Sequence, residues 1–106
     1  MDADFNVHYT VTDGVAVLAL QGRFDFSQYS LFKEEQSQVL EKPDVKKIVL
    51  DFGQLHYLDS AALGVMLVLL DRAKESGKTV SIRGASGVVR EILDVAHFDR
   101  MFEIER

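Results

Sequence analysis

Between Val7 and Val11 the chain alternates, with Val7, Tyr9 and Val11 on one side and His8 and Thr10 on the other. A period of two marks a half-buried strand. Thr12-Asp13-Gly14 is a turn signal, and Val15 to Leu20 is a second β-rich run, so the two segments predict a hairpin that Gly22 ends. The pattern then changes. Tyr29, Phe32, Val39 and Leu40 recur at helical spacing, with Lys33, Glu34, Glu35 and Gln38 facing away. Ser27 is placed to cap this helix, which runs to about Glu41, and Pro43, the only proline, stops it. Lys47 to Phe52 contains the continuous run Ile48-Val49-Leu50, expected of a strand covered on both faces and flanked by parallel neighbours.

Gly53 to Leu58 reads as a loop. A helix then starts at Asp59 or Ser60 and runs to about Ser76, where Gly77 closes it. Thr79 to Arg83 is another strand. A helix opens at Ser86 or Gly87 and reaches about Ala96, with Val88, Val89, Ile92, Leu93 and Ala96 as its apolar stripe. Phe102 to Ile104 is expected as an edge strand. The order β-β-α-β-α-β-α-β implies an α/β fold: a mixed sheet of about five strands covered by three or four helices. At 106 residues the chain is expected to be one domain, 1–106.

Composition narrows the function. Apolar residues make up 47% and charged residues 27%, a globular balance. The net charge of −5 and the absence of a Lys/Arg run argue against a nucleic-acid ligand, which needs a basic footprint. Without cysteine there is no disulfide and no thiolate metal site. The acidic start, with Asp2 and Asp4, lacks the pattern of a signal peptide. The longest apolar run, Ala61 to Leu70, is short of the ~20 residues that span a membrane. A cytoplasmic protein without membrane insertion is expected.

Catalytic chemistry finds little support. No phosphate-cradling GxxxxGK[ST] or GxGxxG loop is present. His8, His56 and His97 are not spaced as metal ligands, so neither a metal nor a cofactor is expected. A triad of Ser60, His97 and an aspartate would lack the GxSxG elbow that exposes a nucleophile. Asp25, Asp51 and Asp59 are more suggestive, because sheets with parallel strands collect functional groups at strand ends. Capping of turns explains the same positions equally well.

The segment Leu58-Asp59-Ser60-Ala61-Ala62-Leu63-Gly64 is the most informative. Asp59 and Ser60 sit where a helix begins, and either can accept a bond from a free N–H of its first turn. The helix is apolar nearly all round for three turns, which means full burial or cover by a partner. Ala61, Ala62 and Gly64 would leave a shallow surface for another backbone. A phosphate on Ser60 would add about −1.5 to −2 charge, which a helix N-terminus tolerates. It would stand beside Asp59 and, if the strand ends converge, near Asp25. A partner docked over it would then face a desolvated dianion.

Asp59-Ser60-Ala61-Ala62-Leu63-Gly64, preceded by Ile48-Val49-Leu50-Asp51-Phe52, resembles the signature of STAS domains, specifically of bacterial anti-sigma factor antagonists. Leu20-Gln21-Gly22-Arg23-Phe24-Asp25 and Gly77-Lys78-Thr79-Val80 are similar to flanking segments of that family. The resemblance implies a binding protein without catalysis of its own. Its partner would be an anti-sigma factor that is also a GHKL-type serine kinase, and Ser60 would be the phosphorylated residue. A PP2C-type phosphatase would restore the unmodified form. Asp25 and Asp59 would surround the modified hydroxyl, with Ala61, Ala62 and Gly64 at the partner surface. Many relatives carry Ser-Gly where this chain has Ala61-Ala62, which leaves Ser60 as the single hydroxyl of the motif. The alternative is a STAS-like accessory subunit of a membrane transport or sensor assembly, with Ser60 as a plain cap.

Overall fold

The computed structural model describes residues 5–105, and the acidic pair Asp2 and Asp4 lies outside them. Strand β1 (Asn6–Thr12) pairs antiparallel with β2 (Val15–Phe24) from Asn6↔Gln21 to Thr12↔Val15. Asp13 and Gly14, both at positive φ (52° and 80°), form the two-residue turn of this hairpin. That backbone suits the right-handed twist of the strands and favours glycine at its second position. Beyond the hairpin come α1 (Tyr29–Leu40), β3 (Lys47–Leu58), α2 (Ser60–Glu75), β4 (Thr79–Arg83), α3 (Gly87–Val95) and β5 (Glu103–Glu105). The strands lie in the order β1-β2-β3-β4-β5, and every pair after the hairpin is parallel. This is the mixed five-stranded sheet with three helices that the patterning implied.

The helices cover one face of the sheet. Ala16, Leu18, Leu20, Ile48, Leu50, Val80 and Ile82 form a layer of paired, buried side chains on that face. They join Phe32 and Val39 of α1, Met66 and Leu69 of α2, and Val89 and Leu93 of α3 in one cluster. Val49 is buried but stands outside that cluster, on the opposite face. That face carries ion pairs: Lys47 with Glu105 at 3.3 Å and Arg83 with Asp51 at 3.2 Å. The run Ile48-Val49-Leu50 is therefore buried on both sides, but helices cover only one of them.

Several boundaries differ from expectation. Strand β2 does not end at Gly22; it continues to Phe24. Gly53 to Leu58 is the second half of β3 and not a loop. Ala19 pairs with Asp51, Gln21 with Gln54 and Arg23 with Tyr57, so β3 carries two extra residues opposite β2. Each bulge breaks the period of two, which is why the segment looked irregular. Gly84 supports the first bulge: at φ +79°, a Cβ there would stand 2.9 Å from the backbone nitrogen of Gly53. Ser27 does not cap α1. Asp25 caps a short 3₁₀ turn, Phe26–Gln28, that leads into it. Val88 is about half exposed rather than part of the α3 stripe. The edge strand begins one residue late, at Glu103.

Candidate functional site

The two bulges bring β2 and β3 to an end side by side, with Phe24 paired to Leu58. Asp25 and Asp59 therefore leave adjacent parallel strands as neighbours. Asp59 N donates to Phe24 O at 3.2 Å. The Asp59 carboxylate joins both turns: Oδ1 accepts from Ala62 N at 2.8 Å and Oδ2 from Phe26 N at 3.2 Å. Both oxygens are thus engaged by backbone N–H groups, so Asp59 holds the turn and is not poised as a base.

Because Asp59 is the N-cap, Ser60 is the first residue of α2, and its side chain stands exposed. Asp25 Oδ1 accepts from Ser27 N at 3.0 Å and from the Ser27 hydroxyl. The Ser27 hydroxyl bond, aided by Arg23, holds the Asp25 carboxyl below its ordinary pKa. Arg23 lies 3.7 Å from Asp25 and stacks over the Tyr57 ring at 4.0 Å.

Two depressions flank this cluster, and Tyr57 and Asp59 line both. One, about 440 Å³, also contains Arg23, Asp25 and Phe26. The other, about 390 Å³, is an apolar groove between α2 and α3, formed by Ser60, Leu63, Ile92, Val95 and Ala96, with Glu91 beside them. Phe26 is 73% exposed and Val95 81%. Two large apolar side chains left in water on either side of an exposed hydroxyl, next to an apolar groove, fit a protein-binding surface. The carboxylates of Asp25, Asp59 and Glu91 give it an acidic cast, with Arg23 as the neighbouring cation.

The structure brings Asp25, Asp59 and Ser60 together. Gly64 is exposed, with open space where a Cβ would stand, and Ala61 is half-buried. Ala62 is a correction: at 1% exposure it packs into the core rather than lying on the surface, because it stands four and seven positions before the buried Met66 and Leu69 and so turns the same way. Asp51 takes no part in the cluster; Gly53 N (2.9 Å) and Arg83 fix it in β3. His8, His56 and His97 stand exposed on separate segments, and no group of three His, Cys, Asp or Glu among the described residues could hold a metal ion. No helix among the described residues is long and apolar enough to cross a membrane.

Sequence reasoning missed Phe26, Tyr57, Ile92 and Val95 as parts of this surface. Val95 did give a signal, as an apolar residue off the stripe of its own helix.

Comparison with known proteins agrees with this geometry. A family model described as "Mlab, STAS domain" matches residues 7–104. A STAS-domain containing protein of Pseudomonas aeruginosa is 36% identical over 87 residues, covering 82% of this chain and 84% of its own. BtrV of Bordetella bronchiseptica, named as an anti-sigma factor antagonist, is 25% identical over 92 residues, covering 87% and 78%. Among solved structures, one described as an anti-sigma factor antagonist from Thermotoga maritima superposes with a TM-score of 0.82 at 25% identity, covering 92% of this chain and 84% of that one. On its sequence match and its fold together, the chain belongs to the STAS domain family, in which relatives are named as anti-sigma factor antagonists.

Proposed function

We propose that this protein is an anti-sigma factor antagonist of the partner-switching kind. In its unmodified form it binds an anti-sigma factor that is also a GHKL-type serine kinase, and so releases that factor's target. Phosphorylation of Ser60 ends the binding, and a PP2C-type phosphatase restores it. The protein binds and is modified, without catalysis of its own, in the cytoplasm. Asp25 and Asp59 flank the modified hydroxyl, and Ala61 and Gly64 lie at the partner surface.

The observation that carries the reading is the exposed Ser60 at the first position of α2, beside a half-open apolar groove. A dianion there gains from the helix N-terminus, so the fold tolerates it. A docked partner does not, because its apolar surface would strip water from a group already crowded by Asp59, Asp25 and Glu91. Each 1.4 kcal/mol lost weakens binding about tenfold. The relatives named as anti-sigma factor antagonists support the same reading.

The test is incubation with each candidate kinase of this type and ATP, followed by mapping of phosphate. The expected product carries one phosphate, on Ser60. Ser60→Ala should hold the kinase constitutively, and Ser60→Asp should bind at least ~10-fold more weakly with an unchanged circular dichroism spectrum. Equal affinity of the two variants, or phosphate elsewhere, defeats the proposal. Binding with no phosphate at all would favour the accessory-subunit role.

A further inference from the structure

A second depression follows the apolar groove beside Ser60 along the same helix. Along α2, Leu63, Leu67 and Leu70 follow one another at i, i+4 and i+7, so they share one face of the helix. Leu63 lines the groove at Ser60, while Leu67 and Leu70 line a second depression of about 520 Å³ whose other wall is Arg100 and Met101. Leu67, Val68 and Met101 are 37%, 46% and 43% exposed. From Ser60 to Lys74 this face runs about 21 Å at 1.5 Å per residue. Its charge changes sign along the way. Asp59 and Glu91 stand at the Ser60 end; at the far end Lys74 and Arg100 outnumber Asp71.

We propose that this face, from Ser60 to Lys74 with α3 and Met101 as its second wall, is the seat of one amphipathic α-helix of the partner protein. The inference rests on the reading of the Ser60 surface as a protein-docking site and specifies what docks. Two successive depressions along one face of α2, the first apolar and the second part apolar and part charged, fit about four turns of helix bearing an apolar stripe with charge at one end. The occupant places an apolar anchor in the groove at Ser60, where the existing carboxylates disfavour acid. It places an acidic residue beside Lys74 and Arg100. Acidic residues belong in the first turn of a helix, so the occupant runs antiparallel to α2, with its N-terminus at Lys74. Contact at Lys74, Arg100 and Met101 is remote from Ser60, and so sets partner choice independently of the switch.

The test uses two lactam-bridged peptides of about 15 residues with the same Leu/Phe stripe, one with Glu and one with Lys in the first turn. Each is titrated into isotope-labelled protein. The Glu peptide is expected to bind about tenfold more tightly and to shift the methyl signals of Leu63, Leu67, Ile92, Val95 and Met101. A spin label on its C-terminus should broaden the amide signals of Ser60 and Ala61. Lys74→Glu with Arg100→Glu, both exposed positions, should reverse the preference while the free protein's spectrum stays folded. Absence of binding, no dependence on the end charge, or shifts on the open sheet face overturn the inference. The titration uses neither kinase nor phosphate. A phosphorylated Ser60 beside an empty trough would sink this inference alone, and a filled trough beside an unmodifiable Ser60 would sink only the phosphoswitch.

Discussion

Asp59 is the residue whose removal has the most calculable effect. Its Oδ1 caps α2 through Ala62 N at 2.8 Å, and its Oδ2 holds the turn after β2 through Phe26 N at 3.2 Å. Loss of an N-cap costs about 1 kcal/mol. Loss of a second bond, to a partly exposed N–H, costs about 1 kcal/mol more. Asp59→Ala should therefore destabilise the fold by about 2 kcal/mol, a fall in Tm on the order of 10 °C for a chain of this size. Asp59→Asn keeps an oxygen for Ala62 but turns an amide NH₂ toward the Phe26 N–H, so it should lose about 1 kcal/mol. Urea denaturation at 25 °C, followed by circular dichroism, gives the three stabilities directly. If alanine and asparagine cost the same, or if alanine costs under ~0.5 kcal/mol, the bridging role assigned to Asp59 is wrong.

Other positions carry independent predictions. Ser60→Ala should change stability by less than ~0.5 kcal/mol in the same urea assay, because the cap belongs to Asp59; a loss near 1 kcal/mol would make the hydroxyl itself the cap. The Ser81 hydroxyl, donating at 2.7 Å, and then Lys47 hold the Glu105 carboxyl below its ordinary pKa of 4.5. The folded state thus binds this proton less readily than the unfolded state, so the stabilisation is complete above 4.5 and fades as pH falls through the lower folded value. Glu105→Gln should flatten that part of the acid-denaturation curve, and an unchanged curve would refute the assignment. Gln36 is 1% exposed, and its Oε1 has no hydrogen-bond partner. Gln36→Leu should raise stability by about 1 kcal/mol, read as a higher urea midpoint at unchanged slope. His97 sits in the left-handed region at φ 59°. His97→Gly should relieve that strain and raise Tm by a few degrees, a net gain of about 0.5 kcal/mol after the entropy of the added glycine.

The parts of the fold that were legible obey a single period. β1 alternates cleanly, β4 is short and alternates Thr79-Val80-Ser81-Ile82-Arg83, and α2 has a cap at one end and Gly77 at φ +73° at the other. Where two periods meet, the reading failed. The bulged half of β3 shifts its inward residues from Phe52 to Leu55 to Leu58, a spacing of three that belongs to no strand template. The site was legible in its named residues and not in its shape. Asp25, Asp59 and Ser60 announce themselves as strand-end and helix-start residues, whereas the groove depends on α3 lying against β3 and α2, a tertiary fact. Ala62 shows the limit most clearly: its small size suggested an accessible surface, but the angular position that buries it follows from Met66 and Leu69 facing the sheet.

The bulges and the site are connected. Without the two extra residues in β3, the register that pairs Ala19 with Asp51 would set His56 opposite Phe24, and Leu58 and Asp59 would overrun the end of β2 by two residues, about 7 Å. Asp59 would then lose its reach to both Ala62 N and Phe26 N. With the bulges in place, one carboxylate supplies the cap, and the adjacent side chain has no structural duty. A residue free of structural duty can be modified without loss of fold. A serine that both capped and carried phosphate would exchange the Oγ acceptor of its cap for a bulky ester. On the proposed reading the two tasks fall separately to Asp59 and Ser60, so that a change of charge at Ser60 would act on whatever lies in the groove rather than on the domain beneath it.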